Sequence, residues 1–264
     1  MNGILKYPGA KNRIAPWICE HIPEHKVYLE PFFGSGAVFF HKNPCHIETI
    51  NDLYGEIVNF FKMLRDYPDD LLRAIELTPF CREEYNNACF EIEGDEPLEK
   101  ARKFCVWCWQ SFGSNQKHKS GFRSGQQSNS PNPARAWGGI LLNSIESFAI
   151  RIKDAQIECL PAIELINRYC TPDVFIYCDP PYLTELRKNH LYRFELSRDD
   201  QITLLESLIK HPGMVMISGY DSDLYNTYLR GWNKVKKKTM AELSLSRTEV
   251  LWMNYELGQI KMVL

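Results

Sequence analysis

Apolar runs and amphipathic stretches alternate along the first sixty residues and again after residue 150. Val27 to Phe33 is an apolar run that reads as a buried strand, Ile47 to Ile50 as a second, and Val174 to Cys178 as a third. Between the first two, Gly34-Ser35-Gly36 reads as a tight loop and Ala37 to His41 as the start of a helix. Amphipathic patterns mark Ile14 to Ile22 and a helix from Leu53 to Arg65. Helical patterns follow over Asp69 to Leu77 and Pro97 to Phe112, with no strand between them. Gly113 to Gly139 is rich in Ser, Asn, Gln, Gly and Pro and short of aliphatic residues, so it reads as a long loop. This order predicts an α/β body formed by 1–58 and 151–264, interrupted by a mostly helical insert at 59–150.

With 264 residues, 44% hydrophobic and 24% charged, the chain can bury a sizeable core. A net charge of −2 gives no global attraction for nucleic acid, so any such contact must come from local basic patches. Nine scattered cysteines, no signal peptide and no apolar run of spanning length point to a reduced, cytoplasmic setting without membrane contact. Cys105 and Cys108 have the spacing of a redox or zinc pair, but no second pair stands at ligand spacing and no metal is expected. They share a helical face with Ala101, Phe104 and Phe112, which predicts core packing.

The richest chemistry follows the third strand. Pro180 and Pro181 cannot donate ladder hydrogen bonds, so Val174–Cys178 must stop before Asp179-Pro180-Pro181-Tyr182. In open α/β sheets, the carboxyl ends of strands are where ligands bind. The Asp179 carboxylate and Pro180 carbonyl are two acceptors, and Tyr182 offers a face for stacking. Such a corner suits a planar amine such as adenine, whose nitrogen lone pair is delocalised into the ring. Two accepted N–H bonds favour a pyramidal nitrogen that can attack an electrophile. The ordinary alternative is a turn in which Asp-Pro-Pro is only punctuation.

A second site gathers around Gly34 and Gly36, where the backbone can approach a ligand closely at a helix start. Asn51-Asp52 ends the next strand, and an acid there suits ribose hydroxyls or the N-cap of the following helix. A dinucleotide fingerprint needs a third glycine, and Phe39 stands in its place.

Taken together, the motifs resemble those of the Dam-like, D12-class adenine-N6 DNA methyltransferases. Lys6-Tyr7-Pro8-Gly9-Ala10-Lys11 matches the N-terminal motif, Glu30 to Gly36 the glycine loop, Asn51-Asp52 the ribose-binding acid and Asp179 to Tyr182 the catalytic motif. Ile217 to Ser222 and Glu249 to Asn254 look like the later strand motifs. The resemblance covers most of the chain and implies a Rossmann-like fold that binds S-adenosyl-L-methionine, with an inserted target-recognition domain. It implies that Tyr7, Lys11, Glu30, Phe33, Gly34, Gly36, Asp52 and Asp179 contact the cofactor. Asp179, Pro180, Pro181 and Tyr182 would then serve catalysis on an adenine flipped out of double-stranded DNA. Two positions depart from the pattern. Ala10 replaces a usual glycine, and Cys159-Leu160-Pro161 stands where an acid usually binds the cofactor's adenine.

The polar loop lies where this family carries its recognition region, so Lys117, Lys119, Arg123 and Arg135 become the expected DNA contacts. Composition alone would read the same loop as solvated and flexible. Lys234 to Lys238 alternates like a charged edge strand, with phosphate contact as the alternative. A cognate restriction endonuclease is a further partner that the resemblance leaves room for. Two rival functions remain: a methyltransferase for RNA adenine or protein glutamine, and a nucleic-acid-binding protein with a degenerate cofactor site.

Overall fold

The computed structural model describes residues 3–88, 94–113, 120–125, 127, 129, 131–186, 192–240 and 246–256. Seven strands form one sheet: β1 (Val27–Glu30), β2 (Ile47–Asn51), β3 (Gln156–Glu158), β4 (Val174–Cys178), β5 (Met214–Tyr220), β6 (Asn233–Met240) and β7 (Ser246–Met253). Their spatial order is β3-β2-β1-β4-β5-β7-β6. All pairings are parallel except those of β7, which runs antiparallel to both β5 and β6. Helices α1 (Ala15–Cys19), α2 (Ala37–His41), α3 (Gly55–Asp66), α4 (Pro68–Glu76), α5 (Arg82–Ala88) and α6 (Pro97–Gln110) lie in the first half. They are followed by α7 (Pro133–Arg135), α8 (Leu142–Ile152), α9 (Ala162–Arg168), α10 (Arg198–Lys210) and α11 (Asp223–Tyr228).

Successive residues of a strand face opposite sides of the sheet, and each side here has its own core. Tyr28, Phe175, Tyr177 and Met216 pack on one side against α2, α3, α6 and α8. Leu29, Ile176, Cys178 and Ile217 pack on the other against α9, α10 and α11. Burying each such side chain contributes about 1.5–3 kcal/mol. Helices on both faces of a mostly parallel sheet make this a Rossmann-like α/β fold. The helices between β2 and β3 share the first core: Phe104, Trp137 and Phe148 cluster with Phe33, Phe40 and Phe61.

Several sequence expectations shift. β1 ends at Glu30 rather than Phe33, because Pro31 lacks the N–H that would continue the ladder. The polar loop stops at Asn132, whose side chain accepts from Ala134 N and Arg135 N and caps a helix started by Pro133. The backbone then runs through a π-helical turn at Ala136–Leu141, across Gly138 and Gly139, into α8. Cys105 and Cys108 are buried on α6 as expected, but α6 ends at Gln110 and Phe112 is 70% exposed. Its helical periodicity runs past the last helical residue. No disulfide joins the described cysteines. No helix among the described residues is long and apolar enough to cross a membrane.

β6 forms the sheet edge that the lysine alternation predicts. Lys234 and Lys236 both pair with Asp221, at 2.7 and 2.5 Å, so these two charges are partly neutralised within the chain.

Candidate active site

Strand order reverses between β1 and β4, which opens a crevice at their carboxyl ends. The crevice encloses about 260 Å³, whereas a pocket behind Phe33 and Asn51 holds about 10 Å³, room for no more than a water. Five segments far apart in sequence line the larger cleft: Tyr7–Lys11, the loop after β1, Asn51–Tyr54, residues 160–163, and the turn after β4. Tyr192, Arg193 and Phe194 border it as well.

The N-terminal segment enters through a turn closed by Ala10 N donating to Tyr7 O at 3.2 Å. Pro8 and Gly9 occupy its centre, and Gly9 takes φ 68°. A Cβ on Gly9 would lie 2.1 Å from the Tyr192 hydroxyl oxygen. The left-handed residue is therefore Gly9, and Ala10 occupies the last position of the turn, where a methyl is tolerated. The turn delivers the Lys11 ammonium to Asp179 Oδ2 at 2.8 Å, with Gly9 O at 3.1 Å and Glu249 Oε1 at 3.9 Å. Burial works against that charge, but the Asp179 and Glu249 carboxylates hold the ammonium above its ordinary pKa.

Asp179 is held from its other side. Ser218 Oγ on β5 donates to Asp179 Oδ1 at 2.7 Å, and the Tyr177 hydroxyl lies 3.1 Å from the same serine oxygen. The diproline turn is pinned from behind, where Gln201 Nε2 on α10 donates to Pro181 O at 2.7 Å. The Tyr225 hydroxyl in turn donates to Gln201 Oε1 at 2.6 Å. Tyr182 is half-buried, with its ring edge-on to Tyr220 at 4.5 Å and its hydroxyl donating to Glu249. Lys11 Nζ stands 4.7 Å from the centre of that ring. Pro181 and Asp179 line the cleft, while Pro180 and Tyr182 are not among its lining residues.

On the opposite wall, Asp52 Oδ2 accepts from Gly34 N and Oδ1 from Tyr54 N, each at 2.9 Å. Burial pushes this acid up to about 6, against the pull of these N–H groups. Asp52 is not the N-cap of the following helix: α3 starts at Gly55 with Tyr54 as its cap, and Asp52 closes the turn before it. Glu30, 2% exposed, is pushed up to about 8 by burial, with the Tyr28 hydroxyl donating to it at 2.7 Å.

The family model of the D12 class N6 adenine-specific DNA methyltransferases matches residues 7–243. The chain belongs to this family. It is 25% identical to a type II methyltransferase of Methanocaldococcus jannaschii over 95% of this chain and 98% of that protein. A DNA adenine methylase of Vibrio cholerae is also 25% identical, over 93% of this chain and 92% of its own length. A DNA N-6-adenine-methyltransferase of Escherichia phage P1 is 27% identical over 68% of this chain and 24% of that protein.

Within this D12-class enzyme, Tyr7, Lys11, Glu30, Phe33, Gly34, Asp52, Asp179 and Pro181 all border one cleft. Gly36 is not among its lining residues. At φ 67°, a Cβ on Gly36 would lie 2.3 Å from the Phe33 ring and 2.8 Å from that of Phe40, so this glycine serves packing. Phe33 itself is 4% exposed and packs edge-on against Phe61 at 4.7 Å. Where the family acid is missing, Asn51 bridges strands: its amide donates to Pro31 O and Leu160 O and accepts from Leu160 N, at 2.9, 3.0 and 2.8 Å.

Of the expected DNA contacts, Lys117 and Lys119 lie outside the described residues. Arg123 is half-buried and donates through Nε to Ser111 O at 2.9 Å. Burial, and then the Arg123 charge, lower the nearby Lys6 ammonium to about 8. Arg135 is exposed on α7. Ser218 and Glu249 fall within the later strand motifs and Gln201 within none, but their meeting with the Asp179–Tyr182 turn depends on the register of β5 and β7 and the docking of α10, which the sequence does not show. Among the described residues, no group of three or more His, Cys, Asp or Glu is arranged to hold a metal.

Proposed function

We propose that this enzyme transfers a methyl group from S-adenosyl-L-methionine to N6 of an adenine rotated out of double-stranded DNA. The observation that carries the reading is the position of Asp179, which lines the cleft of about 260 Å³ and opens the Pro180-Pro181-Tyr182 turn. The cofactor supplies an electrophilic methyl on sulfur. The residues present suit it: Asp52 keeps lone pairs for ribose hydroxyls, Glu30 and Asp179 add acceptors, and Leu53 and Ile163 give apolar walls. Residues 159–161 offer the adenine end no acidic side chain, and Leu160 spends its N–H on Asn51, so ordinary or weak cofactor affinity is expected.

Asp179 and the Pro180 carbonyl would accept the two N6–H bonds and aim the nitrogen lone pair at the methyl. Tyr182 would stack on the base, which contributes about 1–3 kcal/mol against the few kcal/mol that extrusion costs. We assign target recognition to 59–150, with Lys117, Lys119, Arg123 and Arg135 meeting DNA. Family membership favours DNA over RNA adenine and protein glutamine, and the intact set of groups around Asp179 argues against a degenerate site. Offering duplex DNA, RNA and protein separately with methyl-labelled S-adenosylmethionine tests the reading. Label in DNA alone supports it, and label in RNA or protein alone refutes it.

A further inference from the structure

Glu249 is a buried carboxylate, 4% exposed, for which the transfer described above has no use. It lies on β7 opposite Tyr220 of β5 in the antiparallel register. Its Oε1 accepts the Tyr182 hydroxyl and stands 3.9 Å from Lys11 Nζ. The same ammonium sits 2.8 Å from Asp179 Oδ2. One carboxylate therefore meets both Tyr182 of the turn and the lysine that pairs with Asp179. Keeping a carboxylate out of water costs free energy, and a neutral residue of the same shape would serve packing as well.

Asp179 already accepts from Lys11 on Oδ2 and from Ser218 on Oδ1. A substrate N–H arriving at Oδ2 would share that oxygen with the ammonium and weaken its hold. Glu249 is the second anion within reach, and a shift of about 1 Å would bring Lys11 to the usual charge-assisted distance from it. We propose that Glu249 is a positioning residue for methyl transfer, anchoring Tyr182 through its hydroxyl and taking up the Lys11 ammonium as Asp179 turns to the substrate amine. The proposal rests on the reading of Asp179–Tyr182 as the amine-receiving corner.

Glu249→Gln keeps the shape and an acceptor for Tyr182 but removes the charge offered to Lys11. The measurement is steady-state methylation of unmethylated plasmid DNA by the purified full chain, with thermal melting of each variant. Glu249→Gln is expected to lower kcat about 10- to 100-fold, with KM for DNA and for cofactor changed less than about threefold. Lys11→Met combined with Glu249→Gln should lose no more than Lys11→Met alone, since the two act through one contact. Tyr182→Phe, which removes only the anchored hydroxyl, should raise KM for DNA or lower kcat by several-fold. An active wild type with an equally active Glu249→Gln, or fully additive losses in the double variant, overturns the role of Glu249. So does a Tyr182→Phe variant with unchanged constants. A folded wild type that methylates no DNA would instead remove the reading of the corner itself.

Discussion

Lys11 Nζ and Asp179 Oδ2 lie 2.8 Å apart, with side chains 8% and 17% exposed, joining the N-terminal turn to the end of β4 across 168 positions of chain. Removing one partner of a buried ion pair leaves an uncompensated charge, at a cost of about 3–5 kcal/mol. Asp179 keeps some solvent access, so Lys11→Met should cost about 3 kcal/mol, at the low end of that range. Urea unfolding monitored by circular dichroism reads the change, and an unaltered midpoint would contradict the pairing.

Gly36 offers a test that separates folding from chemistry. Alanine there must adopt φ 67° and meet the Phe33 ring at 2.3 Å. Backbone strain of about 1–2 kcal/mol and overpacking of about 1–3 kcal/mol together predict a loss of about 2–5 kcal/mol. Thermal melting should show it as a clear drop in Tm, whereas a cofactor-contacting role alone would leave Tm unchanged.

Glu30 predicts how stability depends on pH. Its carboxyl titrates at about 8 in the fold against an ordinary 4.5, chiefly because it is buried. Between those values the folded chain keeps a proton that the unfolded chain has released. The stability tied to this proton is complete below about 4.5 and is lost as pH rises through about 8. Glu30→Gln, which cannot titrate, should flatten that decline. Denaturant midpoints of both proteins from pH 5 to about 9 check it, and parallel curves would contradict it.

Arg123 is the described basic residue of the polar loop nearest the N-terminal motif, close enough to disturb Lys6. Arg123→Ala should weaken DNA binding and reduce the slope of log affinity against log salt by about 1. Fluorescence anisotropy at several salt concentrations measures both. Unchanged affinity and slope would assign phosphate contact elsewhere.

Much of the fold is legible because buried parallel strands are continuous apolar runs, as in Val174 to Cys178, whose end the diproline marks, although Pro31 ends β1 before the apolar run to Phe33 does. The lysine alternation likewise announces β6 as an edge. Local signals fail where a residue's role depends on distant partners. Gly36 reads as a ligand-loop glycine, yet the Phe33 and Phe40 rings decide its role. Asp52 reads as a ribose-binding acid or an N-cap, and in place of the cap it ties the glycine loop to the end of β2. Gly138 and Gly139 hide a helical run, because glycine propensity argues against a helix that tertiary packing of Trp137 and Leu141 sustains. Glu249 finds Tyr182 only through the pairing of β7 with β5, 67 positions apart in sequence.

Asp179 bears the central claim, and its effect is read most directly by mass spectrometry of nucleosides from unmethylated DNA incubated with enzyme and S-adenosylmethionine. The account predicts N6-methyladenine from the wild type and none from a folded, DNA-binding Asp179→Ala variant. Equal yields from the two proteins would contradict it.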